Sequence, residues 1–234
     1  MVAEHTAKAF DADIQLLRSN VLKMGGLVER QVERAVDGIR LMDLGLVAEV
    51  LQDEEVVNRL HVQIDLMCNQ IIARRQPIAV DLREIIAILH MINDLERIGD
   101  EAKKIALKVR RFQGEALPIS LAPVSAMAHE ACDMLRLALD AFVRHDTLIS
   151  GVLNERDRSL DGQRDTVIAE LLCSMASTPS MVGSAMDMVL VVQSIERVGD
   201  HAKNIAEYVV NVVEGVDRRH EGTTGRVGHD AGRR

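Results

Sequence analysis

Aromatic side chains are almost missing from this chain, which has no Trp, one Tyr and three Phe in 234 residues. It therefore lacks platforms for stacking bases, and a net charge of −8 comes without the clustered Lys and Arg that neutralise phosphates, so a nucleic-acid partner is not expected. Only four prolines interrupt the chain, and its 47 % hydrophobic content comes mainly from Leu, Val, Ile, Ala and Met, a balance that favours long helices over strands. Cysteine is scarce: Cys68, Cys132 and Cys173 are odd in number, widely spaced and without a Cys-x-x-Cys pair. They read as reduced, packed thiols of a cytosolic protein, not as a disulfide frame or a thiolate metal site. Long apolar runs are missing too, and Met186 to Val192 is short and carries Asp187, so no membrane span is expected. The first residues, MVAEHTAKAFDADI, show no basic region followed by an apolar core, so no signal peptide is expected and the protein is placed in the cytoplasm. There is no Glu-x-x-His, which weighs against a ferritin-like di-iron oxidase. With no phosphate-binding Gly-Lys loop, no Gly-x-Ser-x-Gly elbow and no Cys–His nucleophile pair either, nothing points to an enzyme.

What the chain does have is a duplication. Leu95 to Val109, LERIGDEAKKIALKV, returns one hundred positions later as Ile195 to Val209, IERVGDHAKNIAEYV. Nine pairs are identical, among them Glu96/Glu196, Arg97/Arg197, Gly99/Gly199, Asp100/Asp200 and Lys103/Lys203. Met24 and Asp43 likewise match Met127 and Asp146 at a spacing of 103. Apolar residues at three- and four-residue steps predict a helix over about 7–42 (Ile14, Leu17, Val21, Met24, Val28, Val32, Ala35, Ile39), which Gly25-Gly26 could bend. A second runs from about Val47 to Arg75, and Pro77 ends it. Asp81 caps a third, which carries Ile85, Ile88, Ile92, Leu95, Ile98, Ala102, Ile105 and Val109. The second half repeats the plan with helices over Pro123–His145, Leu148–Ser174 and Ser180–Val213. The predicted fold is all-α: two tandem three-helix bundles, residues 1–115 and 116–215, followed by a disordered polar tail, residues 216–234, whose His220 and His229 are not expected to be ligands.

On a helical wheel of about 100° per residue, Glu96 and Asp100 fall on the shoulder of the third helix's apolar stripe, not within it. Glu54 and Asn58 lie on the matching shoulder of the second helix, and on antiparallel neighbours such shoulders face the same side. The construction converges Glu54, Asn58, Glu96 and Asp100 in one repeat and Asp157, Asp161, Glu196 and Asp200 in the other. Carboxylates with an amide make an oxygen-ligand set suited to iron, zinc, manganese, magnesium or calcium. The plainer reading is solvated acids paired with nearby Arg and Lys, which contribute little. Gly99 and Gly199 admit either a close helix neighbour or an ion, and a helical glycine costs about 1 kcal/mol relative to alanine. His61, His90 and His201 read as packing residues. No basic anion pocket is evident, so direct phosphate sensing is not expected.

Two repeats with E-R-[IV]-G-D-x-A-K-x-I-A on the third helix, preceded in the first by Gln76-Pro77-Ile78-Ala79-Val80-Asp81-Leu82-Arg83, closely resemble the PhoU family over residues 10–213. The resemblance implies a cytosolic negative regulator of phosphate uptake and phosphate-starvation signalling. It implies association with the phosphate ABC transporter's ATPase and a sensor histidine kinase, homodimerisation, and contact with membranes only through partners. It also implies iron or other metal clusters on E/D-x-x-x-D motifs, here Glu96/Asp100, Glu196/Asp200 and Asp157/Asp161. Asn58 departs from the pattern by replacing an acid, so the second repeat is the better-charged metal site. The second repeat in turn lacks the Pro-x-Ala-x-Asp-Leu-Arg segment. Competing readings are a metal-storage or redox enzyme on a helical bundle, and a metal-free helical scaffold.

Overall fold

Asp43 and Asp146, matched by the duplication, make the same turn twice. In each, the preceding residue is left-handed, Met42 at φ 53° and His145 at φ 54°. The Asp backbone N–H then donates back to the closing helix, Asp43 to Gly38 O and Asp146 to Ala141 O, both at 3.0 Å. Each carboxylate accepts from the backbone N–H two residues on, Gly45 at 2.7 Å and Leu148 at 3.0 Å. Asp43 thereby caps the second helix, satisfying a backbone donor that the helix leaves unpaired, whereas the Asp146 bond closes the turn just before the fifth helix begins.

The computed structural model describes residues 2–215, with side chains from residue 9 onward, and the predicted tail lies outside them. These residues form six long helices: α1 (Val2–Leu41), α2 (Leu44–Arg75), α3 (Ala79–Phe112), α4 (Ala122–Arg144), α5 (Ile149–Ser177) and α6 (Val182–Glu214). A single 3₁₀ turn, Pro179–Met181, precedes α6, and there is no strand among the described residues. Every stripe residue named for the first and third helices is buried. At roughly 1.5–3 kcal/mol for each fully buried Val, Leu or Ile, these stripes dominate the fold's stability.

Three local expectations change. Helix α1 runs without interruption through Gly25-Gly26, and a Cβ at Gly25 would meet Leu139 Cδ1 of α4 at 2.3 Å, so the glycine makes room for a neighbouring helix. Asp81 is not the cap of α3: extended Ile78 takes that position without a side-chain bond, and Asp81 lies in the first turn. Cys173 is exposed, whereas Cys68 and Cys132 are packed, their thiols pushed up to about 12 chiefly by burial.

The first three helices pack on one another, as do the last three, and α3 against α6 joins the two bundles with help from α1 against α4. One continuous apolar core runs through both bundles. Helices α3 and α6 are antiparallel, since partners descend α6 as they ascend α3: Arg83 Nε donates to Val212 O at 3.2 Å, His201 Nδ1 meets Asp94 Oδ1 at 2.7 Å, and Lys108 Nζ donates to Asp187 Oδ1 at 2.7 Å. The duplication relates the seam's two halves. Asp94 pairs with His201, and at the matching positions Glu101 lies against Ser194. Burial pushes Glu101 up, but bonding from Lys104 and Ser194 outweighs it and leaves the carboxyl below its usual range. Buried acids at this seam are therefore each given a partner, as a low-dielectric site demands.

Candidate functional site

Both acid sets straddle the second and third helices of their own bundle. In the first repeat, Glu54 of α2 turns inward and is only 4 % exposed. Its Oε2 accepts from Gln31 Nε2 of α1 at 3.3 Å and its Oε1 from Asn58 Nδ2 at 3.3 Å. Gln31 is fully buried; its amide nitrogen also donates to Val50 O at 3.2 Å, and its carbonyl oxygen has no partner. Burial raises the Glu54 pKa and the Asp100 charge adds to that, against Gln31, Lys103 and Asn58, which favour the anion. Glu96 and Asp100 are half-buried, and among the described residues neither enters an ion pair. A Cβ at Gly99 would stand 2.9 Å from Glu54 Oε2 and 3.2 Å from Gln31 Oε1, so this glycine makes room for the polar pair beneath it.

In the second repeat the carboxylates are bridged by cations. Lys203 Nζ holds Asp157 and lies 3.3 Å from Asp200 Oδ1. Arg164 Nη1 holds Glu196 and donates to Asp161 Oδ1 at 2.9 Å. The pKa of Asp157 is raised, first by burial and then by Asp200 and Asp161, despite Lys203. That of Glu196 is raised by burial and by Asp200, despite Arg164. Four acids against two cations remain under-compensated. A Cβ at Gly199 would meet Leu160 Cδ2 at 2.5 Å, with Met134 Sδ at 3.7 Å, so here the glycine serves close packing of apolar side chains.

The structure thus gathers Asp157, Asp161, Glu196 and Asp200 into one cluster of two ion-paired groups, Asp157 and Asp200 on Lys203 and Asp161 and Glu196 on Arg164, and it places Glu54, Asn58 and Asp100 together. Among the described residues no three His, Cys, Asp or Glu side chains are disposed to hold a metal ion as they stand. The donor chemistry of the second repeat suits a hard cation, but Lys203 and Arg164 occupy the space between the carboxylates and would have to leave. The histidines are engaged elsewhere: His61 Nε2 meets Asn93 Oδ1 at 3.0 Å, His201 pairs with Asp94, and His90 stacks on Tyr208 with ring centroids 5.3 Å apart.

Sequence reasoning missed Gln31 and Arg164. Gln31 was legible as a lone amide inside the α1 stripe between Val28 and Val32. Arg164 was legible only as the partner in repeat two of His61, because its reach to Glu196 depends on how α5 lies against α6.

Comparison with known proteins extends the duplication beyond the motif. A model of the PhoU domain matches residues 21–109 and again 124–209. The chain is 39 % identical over 223 residues to a phosphate-specific transport system accessory protein PhoU homolog of Pseudomonas putida, covering 94 % of this chain and 87 % of that one. To the phosphate-specific transport system accessory protein PhoU of Escherichia coli strain K12 it is 33 % identical over 220 residues, 94 % of this chain and 91 % of that one. The crystal structure of PhoU from Pseudomonas aeruginosa superposes with a TM-score of 0.84 at 38 % identity, covering 88 % of this chain and all of that one.

Proposed function

This chain belongs to the PhoU family, and from that premise we propose that it is a non-enzymatic accessory protein of phosphate-specific transport that restrains phosphate uptake and phosphate-starvation signalling. It would do so as an adaptor between the ATPase of a phosphate ABC transporter and a sensor histidine kinase. The observation that carries the reading is the match of both repeats, over 94 % of the chain, to proteins named for that transport system. No described helix is long and apolar enough to cross a membrane. On the family reading the chain acts through its partners from the cytoplasmic side, as a homodimer. Deleting the gene and measuring phosphate-starvation transcripts in high phosphate tests this reading. De-repression, reversed by the wild-type chain, is expected; continued repression would sink it.

The acidic faces support a second, narrower proposal. Asp157, Asp161, Glu196 and Asp200 bind a hard or borderline cation such as iron, zinc, manganese or magnesium once Lys203 and Arg164 swing outward, a motion that their long side chains permit. What favours this is the gathering of four acids, where burial first and the neighbouring carboxylates next hold Asp157 and Glu196 above their ordinary range. Glu54, Asn58, Glu96 and Asp100 form the weaker site, because Asn58 brings no charge and Glu54 is already committed to Gln31. Elemental analysis of protein purified without chelator should find metal that Glu196→Ala/Asp200→Ala removes and Glu96→Ala/Asp100→Ala removes less. Equal metal content in all three proteins would dispose of the assignment.

A further inference from the structure

The α3/α6 seam carries a feature that the duplication does not repeat. On one side of it a groove of about 270 Å³ is lined by Lys104 and Lys108 of α3 and by Leu190, Val191, Gln193, Ser194 and Arg197 of α6. Lys104, Leu107, Lys108 and Arg111 follow one another at three- and four-residue steps, so they form one stripe of α3. Leu107 and Leu190 are exposed, 42 % and 45 %. Three cations, Lys104, Lys108 and Arg197, line the groove, and Arg111 follows on the α3 stripe, in a chain whose net charge is −8. They share two carboxylates: Lys104 and Arg197 approach Glu101 at 2.8 and 3.6 Å, and Lys108 and Arg111 approach Asp187 at 2.7 and 3.2 Å. Positive charge is left over beside exposed apolar surface. This is the basic cluster that the sequence did not reveal, because it is assembled across two helices.

Internal symmetry supplies a control. The positions matching Lys104, Lys108 and Arg111 are Asn204, Tyr208 and Asn211, and the position matching Leu190 is His90, which stacks on Tyr208. At the related end of the seam three cations are lost and the corresponding space is filled by a ring pair. The basic groove is therefore not a by-product of packing α3 on α6.

We propose that this groove docks an acidic amphipathic segment of a protein partner. Its apolar residues would cover Leu107 and Leu190 and enter the groove over Val191, while its carboxylates meet Lys104, Lys108 and Arg197. An inorganic anion fits less well, since it would have to strip Lys104 from Glu101 and would leave the leucines in water. A membrane surface is flat and would not fill the concavity. Helix-in-groove recognition of this kind takes affinity from the buried apolar anchors and selectivity from the charged border.

The test is fluorescence anisotropy of the full chain with a fluorescein-labelled fourteen-residue Leu/Glu peptide of helical periodicity, against a scrambled peptide of the same composition. The periodic peptide should bind, and its affinity should fall at least about tenfold in Lys108→Glu/Arg197→Glu and in high salt. Leu190→Asp, which keeps every cation, should fall similarly, and circular dichroism reports whether each variant stays folded. Equal binding of both peptides, or undiminished binding by folded Leu190→Asp, overturns the proposal. So does absence of peptide binding, whether or not inorganic phosphate or anionic phosphatidylglycerol vesicles bind instead.

Discussion

At Gly99 the missing Cβ leaves room for Gln31 and Glu54; at Gly199, the same place in the second repeat, it leaves room for Leu160 and Met134. The matched second-helix acid is buried against an amide in one repeat and, half-buried, is tied to an ammonium in the other. Glu54 meets an amide from α1, because Gln31 stands where the second repeat has Met134. Asp157 has no such partner, so it takes Lys203, while Arg164 stands where the first repeat has His61. One inherited motif therefore supports two electrostatic solutions, a buried acid with neutral partners and a four-acid network held by two cations. The choice lies with residues outside the motif.

The contrast can be broken most directly at the cations. Lys203→Met strands Asp157 and Asp200 and should cost about 2 kcal/mol at neutral pH, below the range for fully buried pairs because both partners retain some solvent. Lys103→Met, at the matching place, should cost less than about 0.5 kcal/mol, and paired urea titrations measure the difference. Next come the glycines. Gly199→Ala forces Leu160 to shift and should lose about 1–2 kcal/mol even after the gain in helix propensity. Gly99→Ala presses on the flexible ends of the Glu54 and Gln31 side chains and should cost less in the same urea titrations.

Glu54 offers a change of opposite sign. Its pKa is raised in the folded chain, so the folded state holds the proton more tightly than the unfolded one. That contribution is present below the ordinary carboxylate pKa and is lost as pH rises through the raised value. At pH 7 the ionised acid is therefore a net cost, and Glu54→Gln should stabilise by about 1 kcal/mol, a gain that vanishes below about pH 4. Stability curves at the two pH values decide the point; an equal effect at both would mean that Glu54 is not ionising in the folded chain. The smallest effect is a transplant. Asn58→Asp, which adds a like charge four residues from Glu54 and removes a donor, should cost about 0.5 kcal/mol. Adding His61→Arg should restore most of it by supplying the counterpart of Arg164, as a double-mutant cycle would show.

Much of this was legible in the residues. The stripes of α1 and α3 predict their buried faces because a 3.6-residue period leaves one answer to which side meets the core. The shoulder position of Glu96, Asp100, Glu196 and Asp200 follows from the same arithmetic, as does the nearness of Asp100, Glu196 and Asp200 to the second-helix acids. The partners were harder to read. His201 reads as a packing residue but reaches across the seam to Asp94, and Asp94 and Glu101 are buried because α3 packs against α6 as well as within its own bundle. A wheel drawn for one helix has no term for a second neighbour.

The sequence by itself determined the six helices, the duplication and the side of each helix that carries acid, since these depend on periodicity and local chemistry along one strand of backbone. Tertiary structure alone decided that Gln31 lies under Gly99, that Lys203 and Arg164 sit between the carboxylates, and that Lys104, Lys108 and Arg197 border one groove. Each of these joins side chains from different helices, and the energy of a charge depends on what stands within a few ångströms of it. Helical spacing along one segment does not contain that information.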